Sequence, residues 1–186
     1  MKKIVLIFII LTSILITSCA IVTTDTDNYL EIEHSALPEF LLFPPKLDQS
    51  IEVNEYFHAD HKYTDGIEVY LSAHYDEKEF INEINRIEQI TYTMHNTHTP
   101  KGVVKDDGQL FKYTTYITVY NQNGVFEYAC VDEDNHNIVY VALYAMTYDG
   151  ISFDKKYLPK DYEEIKLSNN ASNYHYNMYN THPWDQ

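Results

Sequence analysis

The stretch Ile67-Glu68-Val69-Tyr70-Leu71-Ser72-Ala73-His74-Tyr75 runs directly into Asp76-Glu77-Lys78-Glu79-Phe80-Ile81-Asn82-Glu83-Ile84-Asn85-Arg86-Ile87, and the apolar period changes at the junction. Before it, Ile67, Val69, Leu71, Ala73 and Tyr75 alternate with Glu68, Tyr70, Ser72 and His74. That period of two predicts a strand with one buried and one wetter face, as in an antiparallel sheet. After it, Phe80, Ile84 and Ile87 recur at helical spacing with Ile81 beside them, while Glu77, Lys78, Glu83, Arg86 and Glu88 form the polar side. Asp76 with Glu79 three residues on makes a capping box, so the helix is expected over 76–89.

Working outward, Ile51 to Asp60 reads as the partner strand, with Thr64-Asp65-Gly66 as the turn. Residues 91–108 are polar and read as a loop. Three more strands follow, Leu110 to Tyr120, Val125 to Asp132 and Ile138 to Tyr148. Asn121-Gln122-Asn123-Gly124 and Glu133-Asp134-Asn135-His136 join them as hairpins. The expected fold is α+β: an antiparallel sheet of about five strands in the order ββαβββ, with one helix packed on one face. A short helical turn is expected near Asp161 to Ile165. Leu37 to Leu47, with Pro38, Pro44 and Pro45 around Phe40, Leu41, Leu42 and Phe43, reads as an extended lead-in packed on the domain. The domain thus covers 37–167. Residues 168–186, rich in Asn, Tyr and His without an apolar period, read as a disordered tail.

The start of the chain carries an address. Lys2 and Lys3 precede an almost wholly apolar run, Ile4 to Ile16, broken by Thr12 and Ser13. This is the pattern of a signal peptide, and it is short for a membrane span. Ile16-Thr17-Ser18-Cys19 then resembles the bacterial lipobox, although Ile stands where Leu is commoner. The resemblance implies cleavage after residue 18 and a diacylglyceryl group on Cys19, which becomes the new N-terminus. Two acyl chains give stable attachment where one gives only marginal binding. The alternative is that Ile4 to Val22 stays as an uncleaved anchor; either way the domain is outside and the lysines are cytoplasmic. Residues 19–36, polar and mostly acidic, read as a tether with a reach of roughly 25 Å.

The formal charge is −15. Removing residues 1–18 takes away Lys2 and Lys3 and no acid, moving it to −17. Such a surface repels nucleic acid and anionic headgroups. With Cys19 lipidated, Cys130 has no partner, so no disulfide framework is expected. The core must therefore come from packing, for which 18 Tyr and eight Phe provide bulk.

Candidate chemistry is sparse. His58-Ala59-Asp60-His61 offers metal-ligand types for zinc or copper, provided His61 lies in the turn; on a continuous strand, residues three apart face opposite ways. His95 and His98 read as solvated loop residues, and His175 and His182 as tail residues. Asp132-Glu133-Asp134-Asn135-His136 starts like a calcium loop, but Asn137 and Leu143 stand where Gly and a bidentate Glu are needed. Cys130 reads as a buried thiol, without a basic neighbour to activate it. There is no G-x-S-x-G elbow, H-E-x-x-H helix or Gly-rich phosphate loop, so no catalytic residue is proposed. The tyrosines are the remaining candidates. Tyr70, Tyr116, Tyr120, Tyr140 and Tyr144 could line a recognition surface on the sheet face the helix leaves open, or simply stabilise half-buried strands.

Leu42-Phe43-Pro44, Glu55-Tyr56-Phe57, Ile67-Glu68-Val69-Tyr70-Leu71, Tyr75-Asp76-Glu77-Lys78-Glu79-Phe80 and Tyr157-Leu158-Pro159-Lys160 carry a further resemblance. With this layout, 37–162 resembles small exported lipoproteins of unassigned function from clostridia-like Firmicutes. The resemblance implies the address and a single domain, and brings no site residues. The expectation is a lipid-anchored protein on the outer face of the bacterial cell membrane. It would be a non-enzymatic module binding an envelope protein or small ligand, with metal binding as the alternative. The covalent lipid is its one expected prosthetic group.

Overall fold

The computed structural model describes residues 20–31, 40–61, 66–90, 102–119, 125–144, 146, 148–160 and 162. Cys19, Tyr120, His95, His98, the expected signal peptide and the tail 168–186 lie outside them. Among these residues the fold is α+β. Seven strands form one antiparallel sheet, with a single α-helix on one of its faces. The strands are β1 (Ala20–Thr23), β2 (Ile51–His61), β3 (Gly66–Tyr75), β4 (Gly102–Asp107), β5 (Thr114–Val119), β6 (Val125–Asp132) and β7 (Asn137–Tyr144). The helix α1 (Glu77–Glu88) follows β3. The spatial order is β1-β2-β3-β7-β6-β5-β4. Two meanders therefore meet at the β3–β7 seam, where Ile67 stands opposite Tyr144 and His74 opposite Asn137.

The expected five strands in the order ββαβββ become seven, three before the helix and four after it. The two additions are the edges, β1 from the expected tether and β4 from the expected loop. An edge strand buries little and pairs on one side, so its sequence carries a weak apolar signature. Another expected strand shortens: Leu110–Tyr113 are bends, and β5 begins at Thr114. The helix begins as read, with the Asp76 carboxylate accepting the Glu79 N–H at 2.9 Å. The helical turn expected at 161–165 falls almost wholly outside the described residues; a 3-10 turn occurs earlier, at Lys155–Tyr157.

Both faces of the sheet are covered. On one, α1 lays Phe80 and Ile87 over Val69, Leu71, Ala73 and Tyr140, and Leu42 and Phe43 of the lead-in complete the cluster. On the other, a strap from Met146 to Tyr162 packs Ile151, Phe153, Tyr157 and Leu158 over Phe57, Tyr70 and Tyr128. Tyr70 is stacked between Phe57 and Phe153, with ring centroids 5.3 and 5.1 Å away. The expected wetter face of β3 is thus buried over most of its length: Glu68 is fully enclosed, Tyr70 and Ser72 are nearly so, and His74 is half-buried. Polar residues at alternate positions suggested water, but the strap supplies the polar partner Glu68 needs. A bulge at Val53/Glu55 sets the face assignment along β2. After it, Tyr56, His58 and Asp60 share the helix side, while Phe57, Ala59 and His61 lie on the strap side.

Residues 20–31 of the expected tether are part of the fold. β1 pairs with the end of β2, Ala20 opposite His61 and Thr23 opposite His58. A 3-10 turn at Thr26–Asn28 follows, capped by the Asp25 carboxylate. Tyr29 packs edge-on against Tyr56 at 5.4 Å, and its hydroxyl donates to the Pro44 carbonyl at 2.9 Å. The Leu30 N–H donates to the Tyr56 hydroxyl at 3.3 Å. Aromatic contacts and free strand edge outweigh the acidic composition that suggested a loose chain.

Candidate functional site

The expected metal ligands are divided by the sheet. β2 remains a strand through His61, so His58 and Asp60 project from the helix side and His61 from the strap side. The condition for that triad, His61 in the turn, is not met. No group of three His, Cys, Asp or Glu side chains converges among the described residues. His61 instead approaches Glu68 across the hairpin, Nε2 lying 3.7 Å from Oε2. The Glu68 Oε1 accepts the Ser152 N–H at 2.8 Å. Burial holds the Glu68 carboxyl above its ordinary range, against the lowering effect of the Ser152 hydrogen bonds. The pair ties the end of the first hairpin to the strap.

The proposed tyrosine surface is interior. Tyr70, Tyr116 and Tyr140 are buried, Tyr144 is half-buried, and Tyr120 lies outside the described residues. Tyr70 is on the strap side; Tyr116, Tyr140 and Tyr144 are on the helix side, so these residues do not share one face. Tyr116 donates to Glu88 at 2.6 Å and Tyr140 to Glu83 at 2.6 Å, fastening β5 and β7 to α1. The strap leaves no open face of the kind expected among these strands.

Cys130 is a buried thiol, as expected. Thr115 Oγ1 donates to its sulfur at 3.5 Å, and the sulfur reaches the Tyr157 carbonyl at 3.6 Å. Burial pushes the thiol up to about 12, which suits a packing residue rather than a nucleophile.

Sequence reasoning missed a clamp on the lead-in. Glu127 on β6 is fully buried, and its carboxyl accepts the N–H groups of Leu41, Leu42 and Phe43 at 3.1, 2.6 and 3.4 Å. Arg86 of α1 donates to the carbonyls of Leu41 and Leu42. Its guanidinium is held by Glu83 through Nε and Nη2, both at 2.7 Å. Residues 41–43 are therefore gripped through their amides by one element and through their carbonyls by another. Burial raises the Glu127 carboxyl to about 7, outweighing the three N–H donors and Arg86. Glu127 sits in Phe126-Glu127-Tyr128-Ala129-Cys130 as an ordinary outward-facing acid would; no local signal marks a partner 84 to 86 residues away.

The remaining candidate is the β1 edge. Cys19 lies outside the described residues, but the residue after it, Ala20, opens β1 and pairs with His61. Ile21 and Val22 are 52% and 57% exposed, and with Ile81 of α1 they are the exposed large apolar residues among those described. Ala20 to Thr24 carries no charge. No described helix is long and apolar enough to cross a membrane. No family model matches the chain, and no curated protein or solved structure is significantly similar to it.

Proposed function

We propose that this chain is a bacterial lipoprotein, exported, acylated on Cys19 and held on the outer face of the cell membrane, where its domain serves as a non-enzymatic interaction module for an envelope protein or small ligand. The observation that carries this reading is the order of the first 19 residues: Lys2 and Lys3, the apolar run Ile4 to Ile16, then Thr17-Ser18-Cys19. The lipobox-like sequence ends at Cys19, and the next residue, Ala20, is already part of β1. Cleavage after residue 18 would leave every described element of the fold in the mature chain. The resemblance to small exported lipoproteins of clostridia-like Firmicutes supports the same reading. The dense packing of both sheet faces favours recognition through sheet edges and loops over a deep pocket. The test is metabolic labelling with a palmitate analogue in a bacterial host that lipidates proteins. The wild-type chain should take up label and sediment with membranes, and Cys19→Ala should lose both. Persistent label on Cys19→Ala would defeat the proposal.

A further inference from the structure

Resting on that lipoprotein reading, we infer that the β1 edge is a membrane-contact site, with Ile21 and Val22 immersed at the boundary between headgroups and acyl chains. Three observations carry this.

The first is distance. Ile21 is two residues from Cys19, so even an extended backbone separates their Cα atoms by at most about 7 Å. Ala20, the residue after Cys19, already belongs to β1, so no flexible segment separates the anchor from the edge. A lipid anchored in the interface therefore brings β1 to the same depth, about the 5–10 Å over which amphipathic segments insert.

The second is exposure. Ile21 and Val22 project from opposite faces of β1, and each remains more than half exposed because β1 has a neighbour, β2, on one side only. Neither side chain belongs to the clusters formed under the helix and the strap.

The third is charge. The chain after residue 18 is formally −17, and anionic headgroups repel it. Ala20-Ile21-Val22-Thr23-Thr24 is an uncharged interval, and Asp25 and Asp27 mark where it stops. The fitting partner is the apolar margin of a bilayer, reached locally while the acidic body stays in water.

The test uses the full chain, purified with its lipid and reconstituted in vesicles of brominated phosphatidylcholine, whose bromines quench a nearby indole. Trp184→Phe removes the native indole, since the chain has one Trp. Ile21→Trp, or Val22→Trp should the first fail to fold, reports on the edge. Ile81→Trp is the control: Ile81 is 54% exposed on α1, which starts at the Ile51 end of the first hairpin, roughly 25 Å of strand from β1's partners. At least a twofold loss of emission is expected from Ile21→Trp or Val22→Trp, and no change from Ile81→Trp. Equal quenching at both places, or none at either, overturns the membrane contact. If mass spectrometry shows Cys19 acylated in those samples, the lipoprotein reading survives that failure. An unacylated Cys19 removes the reading and this inference together.

Discussion

Tyr128 and Tyr140 are fully buried phenols on opposite faces of the sheet, and they should respond differently to loss of the hydroxyl. Tyr140 donates to Glu83 and lies 2.8 Å from the Tyr75 hydroxyl, whereas the Tyr128 hydroxyl has no hydrogen-bond partner among the described residues. Tyr140→Phe should therefore cost about 1–3 kcal/mol, because Glu83 and Tyr75 lose a buried partner. Tyr128→Phe should be neutral or stabilising by up to about 1 kcal/mol. Urea unfolding of the two variants checks the order, and a larger loss for Tyr128→Phe would refute it. Glu127 gives a pH prediction. Its carboxyl is raised to about 7 in the fold from an ordinary 4.5, so between those values the folded state binds more protons than the unfolded one. Stability from this group is therefore full below about pH 4.5 and is lost as pH rises to about 7, by roughly 3 kcal/mol. Glu127→Gln cannot titrate, and its amide meets an N–H donor. It should be less stable than wild type at pH 4.5, with the gap narrowing by pH 7.5. A gap that does not narrow between thermal melts at those two values contradicts the assignment. None of these distinctions is legible in the sequence: Tyr128 and Tyr140 look alike there, and Glu127 looks wet.

Among the elements, the helix was the easiest to read, because capping and periodicity are local properties. Asp76→Ala should lower stability by about 1 kcal/mol through loss of the bond to the Glu79 N–H, measurable by the same unfolding curves. Among the inner strands, β2, β3, β6 and β7 were legible from the alternation of β3 and from the turns that join the hairpins. The edges were not, since β1 and β4 gain their conformation from a neighbour more than from buried side chains of their own. That difference has a dynamic counterpart. Amides of β1 should exchange with solvent sooner than those of β3 and β7, which have strands on both sides. Hydrogen exchange read by NMR tests this, and equal protection across the three strands would show that β1 opens only with the whole sheet. The strap was missed for a related reason. Its apolar residues Met146, Ile151, Phe153, Tyr157 and Leu158 follow no single period, because irregular backbone covers the sheet.

At the scale of the molecule, the sheet is a filling between two covers made from the chain's two flanks, the lead-in with α1 and the strap. The expected candidate surface failed here, because periodicity reports how a strand alternates and not what later lies on it. Removing one aromatic from the strap should show how much the second cover matters. Phe153→Ala takes a buried ring away from Tyr70 and should cost about 3–5 kcal/mol; a loss under 1 kcal/mol in urea would mean that the strap adds little. The β3–β7 seam has a consequence for the order of events in time. Its strands pair residues such as Ile67 and Tyr144, far apart in the chain, so the sheet cannot close until most of the chain is available. That single distant pairing must close a long loop first, which slows it relative to the hairpins on either side. For a protein exported as proposed, that delay is useful: a chain whose central seam waits for its last strand stays threadable while it crosses the membrane.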